Sequence, residues 1–125
     1  MRALLDTHIL LWWLGDDVAL PEAARTVIAD PATAVLVSAA SVWEIAIKQA
    51  TGRVQAPDDL LDTLHDNDFA TLAITAAHAL AAGGLPAHHS DPFDRMLIAQ
   101  AQAERLTLIS VDQRFSPDDV DLLAL

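Results

Sequence analysis

The sequence predicts one α/β domain over residues 1–125, layered α/β/α around a mostly parallel sheet of four to five strands. Three observations predict it. Short apolar runs alternate with helix-patterned segments, and those runs are apolar on both faces, as strands buried between helices must be. Hydrophobic residues make up 53% of the 125, enough apolar surface to build a core despite a formal charge of −11. No internal repeat, low-complexity tract or Pro/Gly/Ser linker divides the chain, so a single core is expected.

The elements follow in order. Ala3-Leu4-Leu5 ends at Asp6, too short for a helix and suited to a buried first strand. Thr7–Leu14 is apolar nearly all round, as a buried helix is. Pro21–Ala29 places proline at a first helical position, with apolar residues at Ala24, Val27 and Ile28. Val35-Leu36-Val37 is β-branched and reads as the second strand. A helix over Val42–Ala50 follows, closed by Gly52. Asp58–His65 reads as helix and Phe69–Ile74 as strand. Thr75–Ala82 is an alanine-rich helix stopped by Gly83-Gly84. Pro92–Arg105 carries an apolar stripe at Phe93, Met96, Leu97 and Ala101. Thr107–Val111 is a further strand, and Leu122-Leu123-Ala124 a last edge strand.

Composition narrows the function. With no cysteine, disulfide scaffolds and thiolate metal sites are excluded. The longest unbroken apolar run, Ile9–Leu14, falls short of the ~18–20 residues that span a bilayer, so no membrane span is expected. Asp6 and His8 interrupt any opening signal segment, and a cytoplasmic protein is expected. Eighteen acidic residues against seven basic ones argue against nucleic-acid binding through a broad basic face.

Positions matter more than totals. In open parallel sheets the site lies outside the carboxyl ends of the strands. Asp6 directly follows the first strand, and Asp112 directly follows the Thr107–Val111 strand. Glu44 falls in the first turn of the Val42 helix, and Asp94 in the first turn of the Pro92 helix. Each has a structural explanation. Asp6 suits a helix cap, Ser41-Val42-Trp43-Glu44 fits a capping box, and Asp91-Pro92-Phe93-Asp94 fits a capped start. Asp112 suits a turn. Jointly the explanation weakens. Two like charges ~4 Å apart repel by about 4 kcal/mol at an effective dielectric near 20. Four in one pocket therefore rival the ~5–15 kcal/mol stability of a whole domain unless protons or cations neutralise them. All-oxygen ligands favour Mg²⁺ or Mn²⁺, and such sites serve phosphoryl chemistry.

Five segments carry a resemblance to a known family. They are Leu4-Leu5-Asp6-Thr7-His8, Ser41-Val42-Trp43-Glu44-Ile45-Ala46-Ile47-Lys48, His89-Ser90-Asp91-Pro92-Phe93-Asp94-Arg95, Leu97-Ile98-Ala99-Gln100-Ala101 and Leu106-Thr107-Leu108-Ile109-Ser110-Val111-Asp112. In order and spacing they resemble the PIN-domain family, specifically the VapC-type toxin ribonucleases of bacterial toxin–antitoxin pairs. The resemblance implies an α/β/α fold and a Mg²⁺- or Mn²⁺-dependent endoribonuclease. It implies an acidic quartet of Asp6, Glu44, Asp94 and Asp112 as catalytic and metal-ligating residues, with Asp91 in a second tier. One or two ions held there would activate water for in-line attack, leaving a 5′-phosphate and a 3′-hydroxyl. It also implies an RNA substrate, a cognate VapB-type antitoxin and a homodimer. Cations bound among the acids would reverse the local sign where RNA approaches.

Other residues have weaker claims. Thr7 stands beside the first acid and suits either orienting a water or phosphate or simply starting a helix. Lys48, the only lysine in the chain, suits either reaching a phosphate or an i,i+4 pair with Glu44, the favoured reading, worth only ~0.3–0.5 kcal/mol. Arg95 suits neutralising an acid or contacting RNA. His88 and His89 invite a metal reading, although loop histidines are usually solvated. The aspartates at 58, 59, 62, 66 and 68 read as a solvated face. Trp12 and Trp13, about 100° apart on a helix, can hardly share one buried face, so at least one is expected near the surface. Trp12, Trp13 and Trp43 are therefore interface candidates. Among competing functions, a response-regulator-type phosphorylation switch needs adjacent acids after the first strand and a lysine after a late one. Here Asp6 stands alone and Lys48 follows an early strand. A degenerate PIN binding module is the other non-enzymatic reading. A phosphatase lacks support, because the only Gly-Gly pair is the one at 83–84.

Overall fold

The computed structural model describes residues 1–87, 89–117 and 119–125. Strand β1 (Arg2–Leu5) is followed by helices α1 (Thr7–Leu14) and α2 (Glu22–Ala29), then β2 (Ala34–Ser38) and α3 (Ala39–Ala50). Next come α4 (Leu60–Asp66), β3 (Ala70–Leu72), α5 (Ala76–Gly83), α6 (Pro92–Glu104), β4 (Thr107–Ile109) and β5 (Asp121–Leu122). The five strands form one sheet in the order β3-β2-β1-β4-β5, with every pairing parallel. β1 is therefore central, with Leu5 registered against Val37 on one side and Ile109 on the other.

The pleat explains why the strands read as apolar runs. Along β1, Ala3 and Leu5 enter one core, with Ile9, Leu10, Ala24, Ile28, Ile45 and Leu64 from α1 to α4. Leu4 points the other way, into a second core with Leu97, Ile98 and Ala101 of α6. Leu108 and Ile109 divide the same way on β4. A strand buried on both faces cannot alternate polar and apolar residues, so the three-layer reading holds. Among the described residues no helix is long and apolar enough to cross a membrane.

The departures from expectation are local. α3 begins earlier than Val42, because Ser38 rather than Ser41 caps it, accepting from Ala40 N at 3.0 Å. Glu44 consequently lies in the second turn, not the first, and the Ser41–Glu44 capping box does not form. Pro21 is the cap residue of α2 rather than its first residue. Strand β4 stops at Ile109, so Asp112 stands three positions beyond it, where it opens a turn closed by Phe115 N donating to Asp112 O at 3.2 Å. Of the predicted edge strand, only Leu122 pairs in β5.

Candidate active site

The strand order sets the location. Moving outward from β1, the chain builds β2 and β3 on one side and β4 and β5 on the other, so the order reverses between β1 and β4. Helices that leave neighbouring strands toward opposite faces open a crevice there, at the carboxyl ends of the strands. Asp6 follows β1 directly, and its backbone N–H extends the ladder by donating to Ile109 O at 3.1 Å.

Asp6 is 6% exposed and held at both oxygens. Its Oδ1 caps α1 by accepting from Ile9 N at 2.9 Å, and its Oδ2 accepts from the Ser110 hydroxyl. The cap and the site role are thus one arrangement. Ser110 also accepts from Asp112 N at 3.0 Å, so one hydroxyl ties the ends of β1 and β4 together. From α3, Glu44 reaches the same place. Its Oε1 accepts from the Thr7 hydroxyl at 2.6 Å, while Oε2 pairs with Lys48 Nζ at 2.7 Å. Thr7 also bonds the Ser41 hydroxyl at 3.1 Å. Ser41, displaced from its expected capping role, therefore supports the support of Glu44.

Helix α6 brings the remaining acids. Asp91 caps it, with Oδ1 accepting from Phe93 N at 2.8 Å and Asp94 N at 3.1 Å. Asp94 sits one turn in, and Asp112 arrives from the β4 turn. Arg114 forks onto Asp112, with Nη2 at 2.6 Å from Oδ2 and Nε at 3.1 Å from Oδ1, and its Nη2 also lies 3.3 Å from Asp94 Oδ2. Asp6, Glu44, Asp91, Asp94 and Asp112 line one small cavity of about 60 Å³, together with Thr7, His8, Lys48, Leu97 and Arg114. Five carboxylates face two cations and an imidazole. Larger clefts elsewhere on the surface, such as the one beside Gln102 and Arg105, contain none of these acids.

The electrostatics divide the acids. Burial pushes Asp6 above the usual carboxylate range. Burial first, and Asp91 second, push Asp94 up to about 6. The hydrogen-bonded Arg114 guanidinium holds Asp112 below the ordinary value, and Asp112 in turn raises Arg114. A raised carboxyl is one whose negative charge is undercompensated.

Solved structures similar to this one in shape share its fold. One, a toxin–antitoxin complex from Klebsiella pneumoniae, superposes at a TM-score of 0.67 with 20% identity, over 98% of this chain and 96% of its own. Another, VapBC2 from Rickettsia felis bound to a promoter DNA fragment, superposes at 0.70 with 14% identity, over 98% of each chain. At such identities the likeness concerns fold alone. Sequence decides the family: the PIN domain profile matches residues 3–117. The chain belongs to the PIN-domain family. Within it, Ribonuclease VapC22 of Mycobacterium tuberculosis is 32% identical over 114 residues, covering 89% of this chain and 87% of that protein.

The PIN pocket accounts for some of the other sequence candidates and dismisses others. Lys48 pairs with Glu44 as its spacing predicted. Thr7 starts α1 and also anchors Glu44 through its hydroxyl. Arg95 does not serve the pocket. Its guanidinium donates to the carbonyls of Ala82, Gly83, Leu85, Pro86 and His89, clamping the turn after α5. His89 is buried and bonds Asp119 Oδ2 at 2.8 Å, so it is neither solvated nor in the acid pocket. His88 lies outside the described residues. Asp58, Asp59, Asp62, Asp66 and Asp68 are all exposed, as expected.

Trp12 and Trp13 are both half-buried against the same core, so neither is fully enclosed, in keeping with the expectation that at least one lies near the surface. Trp13 packs on Phe69 and donates to Asn67 Oδ1 at 3.1 Å, while Trp12 packs on His8. Trp43 alone of the three is open, 60% exposed and edge-on to Phe93 at 5.3 Å. Sequence reading missed His8, Ser110 and Arg114 as pocket residues. Ser110 and Arg114 flank Asp112 within two positions, which was the available signal.

Proposed function

We propose that this chain is a Mg²⁺- or Mn²⁺-dependent endoribonuclease, the toxin of a toxin–antitoxin pair. One observation carries the reading: acids from four separate segments, Asp6, Glu44, Asp94 and Asp112, line one pocket at the switch point of a PIN sheet. The kinship with a protein named a ribonuclease supports RNA as substrate.

The donor set fits a hard divalent cation, being carboxylate oxygen throughout. Burial of Asp6 and Asp94 adds to the fit, because a cation relieves the penalty that raises them. Among the described residues no group of three such side chains is arranged to hold an ion. When bound, the ion supplies Lewis acidity and eases deprotonation of the attacking water. The protein's own part is to fix the ligands. Ile9 N and Ser110 immobilise Asp6, and Thr7 with Lys48 orients Glu44. Asp91 remains foremost the cap of α6.

The kinship to toxin–antitoxin complexes in fold, and to VapC22 in sequence, supports a VapB-type antitoxin as partner and assembly into a complex, with a homodimer and a cytoplasmic setting part of the same reading. Trp43 is the surface aromatic best placed to meet either partner. The test of activity is cleavage of total cellular RNA with Mg²⁺ or Mn²⁺, with and without chelator. Cleavage that disappears with chelator, and in folded Asp6→Asn and Asp94→Asn proteins, is expected. Metal-independent cutting, or a variant as fast as the parent, would refute the assignment.

A further inference from the structure

The pocket's two cations are mounted differently. Lys48 rises from the same helix as Glu44, one turn on, and its side chain is 25% exposed. Arg114 sits in the turn after β4 with 67% of its side chain exposed, and it touches both Asp112 and Asp94. Its Nε and Nη2 engage both oxygens of Asp112, and Nη2 reaches on to Asp94 Oδ2. Arg95, by contrast, is committed to five backbone carbonyls.

We propose that Arg114 is a resident counter-cation that fastens Asp94 to Asp112 in the metal-free protein, so that a divalent ion must take these two carboxylates from it. The inference rests on the metal-site reading above and concerns how that site is filled. A guanidinium keeps its charge at every accessible pH, so protonation change never releases this contact. Bidentate pairing occupies the carboxylate face that a metal would use, and a positive charge left between the two acids repels an incoming dication. The same contact explains why the acids line one cavity yet form no ready cage. Exposure makes release inexpensive, because no packed shell needs to open when Arg114 swings toward solvent. Only its backbone N–H, donating to Asp112 Oδ1 at 2.9 Å, stays behind to shape the turn.

The test is Mn²⁺ binding to the full chain, by calorimetry and by the electron paramagnetic resonance of free Mn²⁺. The proteins compared are the parent, Arg114→Ala, Arg114→Lys and Asp6→Asn. Arg114→Ala is expected to bind Mn²⁺ on the order of tenfold tighter than the parent. Arg114→Lys, which keeps the charge but not the fork, should fall between them. Thermal unfolding gives a second reading: Mn²⁺ should raise the Tm of Arg114→Ala more than that of the parent. Parent binding that Asp6→Asn weakens but Arg114→Ala leaves unchanged or weakens would overturn this role and keep the metal site. No Mn²⁺ binding by any of the proteins would overturn both.

Discussion

At the scale of single residues, the candidate acids were legible because sheet geometry restricts where a site can stand. Asp6 directly follows β1 and Asp94 lies in the first turn of α6, while Glu44 sits in the second turn of α3 and Asp112 three positions beyond β4, and all four line the cavity. Their attendants were not legible. Arg95 and Arg114 look alike in sequence, each within two positions of a site acid, yet one clamps carbonyls and the other bridges acids. Only the folded turns distinguish them. Thr7 shows how much one hydroxyl carries. Replacing it with Val leaves buried Glu44 without its 2.6 Å donor, which should destabilise the protein by about 1–3 kcal/mol, whereas Thr7→Ser should nearly preserve stability. Urea denaturation of the two variants checks this.

At the scale of elements, helices whose ends are set by local chemistry were read closely, and those set by tertiary demand were not. α1 runs Thr7–Leu14 as expected, since Asp6 caps it and Gly15 ends it. α6 starts at Pro92 because Asp91 offers a cap and proline gives up an N–H that needs no partner. α3 offered two serines able to cap it. Ser38 prevails because Ser41 is drawn into the buried contact with Thr7, a preference visible only in three dimensions. Asp91→Ala should cost about 1 kcal/mol, while Asp91→Asn, which still caps, should cost little. Chemical denaturation separates them, and unchanged Mn²⁺ affinity in Asp91→Asn would mark the residue as a cap alone. Deep in the β1–α6 layer, Leu4→Ala should cost ~2–5 kcal/mol by the same measurement.

At the scale of the molecule, the site couples the fold to pH. Asp94 sits near 6 when folded, against 3.8 for an ordinary aspartate. A folded state that holds a proton more tightly gains stability from it at low pH. That gain is complete below 3.8 and is lost as pH rises through about 6. Metal-free parent should therefore lose stability relative to Asp94→Asn between pH 4 and 7, as followed by thermal unfolding at each pH. Metal affinity should run the other way, because ligation needs the carboxylate ionised. The net charge of −11, which at first argued against RNA, thus reflects in part acids gathered in one pocket.

The central position of β1 carries a consequence for synthesis. Strand β1 leads directly into Asp6, yet the hydroxyl that secures Asp6 belongs to Ser110, 104 positions later. Until β4 has cleared the ribosome, β1 lacks the neighbour on that side, and the pocket lacks Asp112 and Arg114. A nascent chain arrested before Ser110 should therefore be inert toward the RNA of the machine that is making it.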